Sequence, residues 1–120
     1  MKSDLLYVEH ILECIRRVEV YTGARRDGAG RREAFRTSSL VQDAVLRNLQ
    51  VLSESAGRIS EEHRALEPDV PWQEVRGFRN VLVHQYLGID LEFVWSIVVD
   101  DLPALKEKAG QLRKHLMAQP

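Results

Sequence analysis

Apolar residues recur every three or four positions along most of the chain, which is the spacing of one buried face of an α-helix. The first such stretch begins at Ser3 or Asp4, either of which can cap a helix, and ends near Tyr21. Its apolar positions are Leu5, Val8, Leu12, Ile15 and Val18. The alternating pattern of a β-strand does not compete with this spacing. The pattern predicts a half-buried first helix.

The longest apolar stretch predicts a second helix between Ser39 and Ile59. Ser39 with Gln42 three residues later fits a capping box, although the helix can also begin earlier, at Glu33. Its apolar positions are Leu40, Val41, Ala44, Val45, Leu49, Leu52, Ala56 and Ile59. Before it, Gly23–Arg32 combines three glycines with four arginines. Glycine disfavours a helix, so this composition predicts a mobile, cationic loop.

Two further helices follow a polar linker. Pro71 suits the first turn of a third helix that extends to about Leu82. Asp90 can cap a fourth helix, which should be kinked or split near Pro103 because proline lacks the backbone N–H that a helix interior needs. We therefore predict an all-α fold, an antiparallel four-helix bundle formed by a single domain over residues 1–120.

Composition places few constraints on function. The 17 Lys and Arg residues balance 18 Asp and Glu residues, so any site for a polyanion must be local. Cys14 has no cysteine to pair with and lies on the apolar stripe, which predicts a packed, reduced thiol. Together with His10, His63 and His115 it lacks zinc-ligand spacing, so neither a metal nor a cofactor is expected. With no signal-like N-terminus and no apolar run of membrane-spanning length, we expect a cytoplasmic protein without a membrane partner.

The third helix carries a polar seam. At about 100° per residue, Gly77, Asn80 and His84 fall within about 60° of one another. A glycine and two hydrogen-bonding residues opposite an apolar stripe suit a close helix contact, such as a two-fold dimer interface. Arg79 lies about 140° from His84 on a straight helix. Either the long Arg79 side chain crosses over, or the helix ends near His84, or a second subunit completes the site.

This segment resembles the HEPN superfamily, and more closely the HepT-like ribonucleases. These proteins carry Arg, usually a polar residue, three further residues, His, one residue and Tyr. The matching residues are Arg79, Asn80, His84 and Tyr86. The resemblance extends to the second helix (Gln42–Val45, Asn48–Leu49), to Pro71–Trp72, and to Trp95 with Leu102–Pro103. One departure is Ser53–Ser55, which reads Ser-Glu-Ser where the family often has Gly-Glu-Ala.

The resemblance implies a metal-independent endoribonuclease toxin of a type VII toxin-antitoxin pair, acting as a homodimer. An imidazole titrates near neutral pH, so His84 is the candidate general base for the ribose 2′-hydroxyl. Arg79 would hold the phosphate, and Asn80 would orient the imidazole or bind a phosphate oxygen. In the family, the tyrosine that matches Tyr86 receives AMP from a minimal (MntA-like) nucleotidyltransferase antitoxin. The alternative is a non-catalytic HEPN subunit that binds a nucleotide or scaffolds a nucleotidyltransferase complex.

Other arginines could add contacts to RNA. They are Arg25, Arg26, Arg31, Arg32 and Arg76. Guanidinium groups bind phosphates without sequence preference, although a solvated loop explains the first four equally well. The spacing of the motif also occurs from Arg58 to His63, without the Asn and Tyr. That copy falls at a helix end, where a histidine is ordinary, so we assign the chemistry to Arg79 and His84.

Overall fold

The computed structural model describes residues 2–23, 27–78 and 90–119, and most of these residues are helical. The helices are α1 (Lys2–Tyr21), α2 (Gly28–Thr37), α3 (Ser39–Arg58), α4 (Glu61–Arg64), α5 (Trp72–Gly77), α6 (Leu91–Ser96) and α7 (Leu102–Met117). A π-helical segment, Ile97–Asp101, joins α6 to α7. The predicted all-α class is therefore confirmed for the described residues.

Helix α1 lies between α3 and α7 and is antiparallel to both. At the start of α1, Asp4 binds Ser60, which follows the end of α3. At the other end of α1, Glu19 pairs with Lys106 in the first turns of α7, with 3.1 Å between nitrogen and oxygen. These two contacts fix the direction of three long helical elements, which form the centre of the molecule.

The core consists of the apolar faces that these helices turn toward one another. Its fully buried side chains include Val8, Ile11, Ile15 and Val18 of α1, Val45, Leu46, Leu49 and Leu52 of α3, and Leu112 of α7. Each such side chain stabilises the fold by roughly 1.5–3 kcal/mol because its apolar surface is removed from water. Leu40, which the pattern assigns to the buried stripe, is 79% exposed. Nine residues at 100° place it about 180° from Leu49, on the opposite face of α3.

Helix α2 corrects the predicted loop, because Gly28–Thr37 is helical despite two glycines. The Asp27 carboxylate caps it by accepting the Gly30 N–H at 2.7 Å. Phe35 is fully buried and stacks on Trp95 with 5.3 Å between the ring centroids. Glycine costs about 1 kcal/mol in a helix, whereas burying a phenylalanine recovers roughly 2–3 kcal/mol. A contact distant in sequence therefore decides the local structure.

The predicted cap of the long helix is wrong by one residue. Ser38 caps α3, its hydroxyl accepting the Val41 N–H at 3.1 Å. Gln42 does not close a capping box; its amide donates to the carbonyls of Phe35 and Arg36 at the end of α2. Ser38 is also the C-cap residue of α2, so this one residue separates the two helices.

The last helical stretch is irregular immediately before Pro103. Asp90 caps it as predicted, accepting the Phe93 N–H at 3.0 Å. Within Ile97–Asp101 the backbone hydrogen bonds span five residues instead of four. The Leu102 N–H, for example, donates to the Ile97 carbonyl. Proline has no N–H to donate, which disrupts regular bonding around it.

The third helix of the predicted bundle is described only at its start. Helix α5 packs against α3, and its predicted continuation to Leu82 lies outside the described residues. The four-helix bundle and the homodimer therefore stay predictions. In the described part of the chain, no helix combines the length and apolarity needed to cross a membrane.

Candidate active site

Most of the residues predicted to carry chemistry fall in two segments, 24–26 and 79–89, that lie outside the described residues. They are Arg25, Arg26, Arg79, Asn80, His84 and Tyr86. The structure does describe Phe78 and Asp90, which border the second segment, and the surface around Arg76. The structure therefore describes the residues that border the candidate site.

Hydrogen bonds hold the residues at both borders of segment 79–89. Phe78 is buried, and the Ser53 hydroxyl donates to the Arg76 carbonyl at 2.8 Å, which ties the last turn of α5 to α3. At the other border, Asp90 caps α6 through the Phe93 N–H. Ser53 stands where the resembling family often has glycine, which has no side chain to make this bond. The segment therefore begins and ends at fixed positions.

A polar cleft of about 400 Å³ lies between α3 and α5. It is lined by Ser53, Glu54, Gly57, Arg58 and Arg76, and is called the Arg58–Arg76 cleft below. A Cβ built on Gly57 would lie 3.5 Å from Nε of Arg76, so this arginine rests against the backbone of α3. The Arg58 guanidinium carbon is 6.0 Å from the centroid of the Tyr7 ring. Two cations and one carboxylate give the cleft a net positive charge.

Arg58 is a candidate binding residue that the sequence argument missed. The sequence places Arg58 in the second Arg-x4-His pattern and gives it no role of its own. The informative feature was nearby: Ser53 and Gly57 are four residues apart, so two small side chains share one face of α3. Small residues at that spacing leave a groove, and Arg58 borders it.

Arg31 and Arg32, two of the predicted RNA contacts, make contacts within the chain. Arg31 donates to the Thr22 hydroxyl at 3.1 Å, and its guanidinium carbon lies 5.6 Å from the centroid of a Trp95 ring. Arg32 forms an exposed ion pair with Glu92 at 2.7 Å. These contacts hold α2 against α1 and α6. A role in RNA binding stays a prediction for both arginines.

A second cavity, of about 290 Å³, lies between α5 and the start of α7. Its walls combine apolar side chains with four carboxylates and one cation, Lys108, so that negative charge predominates. The apolar side chains are Val75, Phe78 and Leu105, and the carboxylates are Asp69, Glu74, Asp100 and Asp101. Burial, reinforced by the carboxylates of Glu74 and Asp100, raises the pKa of Asp101. Closely spaced negative groups repel phosphate, so this side of α5 is unsuited to RNA.

The second Arg-x4-His pattern has a structural explanation at its histidine. His63 is buried, and its Nδ1 lies 2.6 Å from Oδ2 of Asp4, which also accepts the Ser60 hydroxyl at 2.6 Å. A carboxylate only accepts hydrogen bonds, so Nδ1 carries the proton. Asp4, predicted as a possible helix cap, instead joins the start of α1 to the turn between α3 and α4. His63 is therefore a packing residue within the described structure.

Replacing Asp4 by Asn is expected to lower the free energy of unfolding by about 1–3 kcal/mol at pH 7, because buried partners lose a charged acceptor. Burial raises the pKa of Asp4, but hydrogen bonds from Ser60 and His63 outweigh it, so the pKa lies below 3.8. A lowered pKa in the folded state means that this stabilisation is present above pH 3.8 and lost as the pH falls below it.

Urea denaturation of the wild type and Asp4→Asn at pH 7 and near pH 2 measures this dependence. The difference between the two proteins should shrink at the lower pH. Glu9→Gln, at an exposed carboxylate on the same helix, is the control and should change stability little. A difference that is equal at both pH values would contradict the assignment.

Among the described residues, Cys14 and the metal-binding residue types offer no further chemistry. Cys14 is buried, as predicted, and burial raises the pKa of its thiol to about 11. A thiol with this pKa is protonated and unreactive at neutral pH. Among residues 2–23, 27–78 and 90–119, no group of three His, Cys, Asp or Glu side chains is arranged to hold a metal ion.

Comparison with known proteins identifies relatives along most of the chain. A family model described as ribonuclease HepT-like matches residues 11–112, a range that includes Arg79–Tyr86. A "Probable ribonuclease HepT" of Thermococcus cleftensis is 35% identical over 94% of this chain and 98% of that protein. A "Putative RNase" of Caldanaerobacter subterraneus subsp. tengcongensis is 28% identical over 93% of this chain and 96% of that protein.

A third relative is longer. The "Gamma-glutamylcyclotransferase and putative RNase" of Methanocaldococcus jannaschii is 33% identical over 97% of this chain, which spans 50% of its length. The chain thus spans half of this relative and nearly all of the other two. No solved structure gives a significant match.

Proposed function

This chain belongs to the HepT-like ribonuclease family, and we propose that it is an endoribonuclease that cleaves RNA without a metal ion. The observation that carries the proposal is the pair Arg79 and His84, which has the family's spacing and lies inside the matched range. The Asn80 and Tyr86 that accompany the pair are absent from the copy at Arg58 and His63.

The proposed reaction is an internal transesterification. The ribose 2′-oxygen attacks the adjacent phosphorus and the bond from phosphorus to the 5′-oxygen breaks, leaving a 2′,3′-cyclic phosphate and a 5′-hydroxyl. His84 accepts the 2′-hydroxyl proton, and water or an imidazolium donates a proton to the departing oxygen. Arg79 stabilises the negative charge that builds on the phosphate, and Asn80 orients the imidazole.

Purified protein is expected to cleave single-stranded RNA in excess EDTA. The base and the charge-stabilising group are side chains, so a chelator removes nothing that this chemistry uses. Gel analysis should show fragments that polynucleotide kinase can label at the 5′ end without prior phosphatase treatment. Cleavage that stops in EDTA and returns with a divalent cation would contradict the proposal.

We further propose that the active unit is a homodimer. Gly77 ends α5 and belongs to the polar seam with Asn80 and His84. Among the described residues, no atom lies within 4 Å of a Cβ built on Gly77. The described part of one chain therefore leaves space beside this glycine, which supports its use in a contact with a second chain.

Gly77→Glu is expected to convert the dimer into a monomer while leaving the monomer folded, because the new side chain meets no described atom of its own chain and meets charge repulsion in a symmetric contact. Sedimentation velocity at micromolar concentration measures this change. Gly110→Glu on α7 is the matched control, since no described atom lies within 4 Å of a Cβ there either. A wild type that is monomeric, or a Gly77→Glu variant that still dimerises, would refute the interface.

The proposed biological setting is a toxin-antitoxin pair. An endoribonuclease that acts on cellular RNA needs a means of silencing, and a nucleotidyltransferase antitoxin that transfers AMP to Tyr86 would supply it. The AMP phosphate would bring negative charge to the place where Arg79 holds the RNA phosphate, and so compete with substrate.

A further inference from the structure

The Arg58–Arg76 cleft is held open by contacts that have no part in the proposed chemistry. The Ser53 hydroxyl fixes the Arg76 backbone at 2.8 Å, and the Arg76 side chain lies against α3 at Gly57, where an added Cβ would be 3.5 Å from its Nε. Arg58 follows Gly57 directly. The packing of α5 on α3 therefore brings both arginines into the lining of a single cleft.

The charges of this cleft are available to a ligand. Ion pairs among the described residues engage Arg16, Arg17, Arg32 and Arg36. Neither Arg58 nor Arg76 forms an ion pair within the described ranges, and both are exposed. Glu54 is the one carboxylate among the cleft's lining residues, so the net charge there is positive. A guanidinium binds phosphate oxygens through two parallel N–H groups.

The cleft also lies within reach of the motif. Arg76 precedes Arg79 by three residues, and three residues span no more than about 11 Å of chain. Both arginines can therefore contact the same stretch of one RNA strand. The cavity between α5 and α7, where four carboxylates outnumber one lysine, disfavours phosphate on the other side of α5.

We propose that the Arg58–Arg76 cleft binds a phosphate of the RNA backbone next to the one that is cleaved, which makes Arg58 a substrate-binding residue. This inference rests on the proposed ribonuclease function and extends it from the reacting phosphate to its neighbour. Such a contact adds affinity for any RNA sequence, because a backbone phosphate carries no base information.

The salt dependence of RNA binding tests the cleft apart from catalysis. In a His84→Ala background, fluorescence anisotropy measures the affinity for a labelled single-stranded RNA from low to high salt. Arg58→Gln and Arg76→Gln should each weaken binding roughly threefold to tenfold near 0.1 M salt. Each should also reduce the slope of log K against log salt by about 0.7, the release expected for one phosphate contact on a single strand.

Two controls separate a lost contact from a damaged fold. Arg58→Lys keeps the charge, so most of the slope should be retained. Arg113→Gln removes an exposed charge on α7, on the far side of α1 from the cleft, and should leave the slope unchanged.

The outcomes distinguish the two levels of the proposal. If the cleft variants keep the wild-type slope while the unmodified enzyme cleaves RNA, the cleft assignment is wrong and the ribonuclease proposal stands. If they lose slope but the wild type cleaves nothing, the cleft binds RNA and the catalytic proposal fails. A His84→Ala protein that does not bind RNA at all overturns the cleft assignment.

Discussion

His84→Ala is expected to slow RNA cleavage at least about 100-fold, because the 2′-hydroxyl would lose its general base. Arg79→Ala is expected to cost a similar factor, since the transition state would lose its main source of positive charge. Single-turnover rates with enzyme in excess over labelled RNA measure the chemical step without interference from product release.

The chain provides a matched control for the histidine. His63 has an arginine five residues before it, as His84 does, but lies buried against Asp4. His63→Gln is expected to lower the melting temperature and to retain the cleavage rate at a temperature where the variant is folded. Full activity in His84→Ala, or loss of activity in folded His63→Gln, would show that the chemistry does not belong to Arg79 and His84.

Tyr86→Phe is expected to remain nucleolytic and to escape neutralisation by the antitoxin, because it lacks the hydroxyl that accepts AMP. Mass spectrometry of the wild type, co-expressed with a nucleotidyltransferase encoded beside it, should show AMP on a peptide containing Tyr86. RNA cleavage by the co-expressed wild type should be lost, and cleavage by co-expressed Tyr86→Phe should persist.

The other two tyrosines provide the controls for this prediction. Tyr21 is 40% exposed at the end of α1, and Tyr7 is half-buried beside Arg58. Tyr7→Phe and Tyr21→Phe should still be modified and silenced. AMP found on either residue in the wild type, or silencing of Tyr86→Phe to the wild-type extent, would refute the assignment.

The predicted and observed helices agree where the buried face is long. The spacing of Val8, Ile15 and Val18 predicts α1, and the spacing of Val45, Leu49 and Leu52 predicts α3. The Asp90 cap was likewise predictable, because an N-cap bond joins residues three apart in the chain. The family motif was predictable for the same reason, because it is recognised by residue types at fixed spacing within one segment.

The structure differs from the prediction where a distant partner decides. Gly28–Thr37 is helical because Phe35 packs on Trp95, sixty residues away. Asp4 can cap a helix by its residue type, but Ser60 and His63 offer it stronger partners. A preference of about 1 kcal/mol for a local structure is easily outweighed by one buried contact, and the spacing along the chain does not specify that contact.

The sequence by itself determined the helical class, the long core helices and the motif that identifies the family, because these depend on residues three to five positions apart. Only the tertiary structure brought Arg58 and Arg76 to one cleft and placed Arg31 on Trp95. Arg58 and Arg76 are eighteen residues apart on different helices, and the packing of α5 on α3, which includes the bond from Ser53 to the Arg76 carbonyl, brings them together. Helix periodicity determines which face of a helix is buried, whereas the packing of one helix on another decides which polar residues meet.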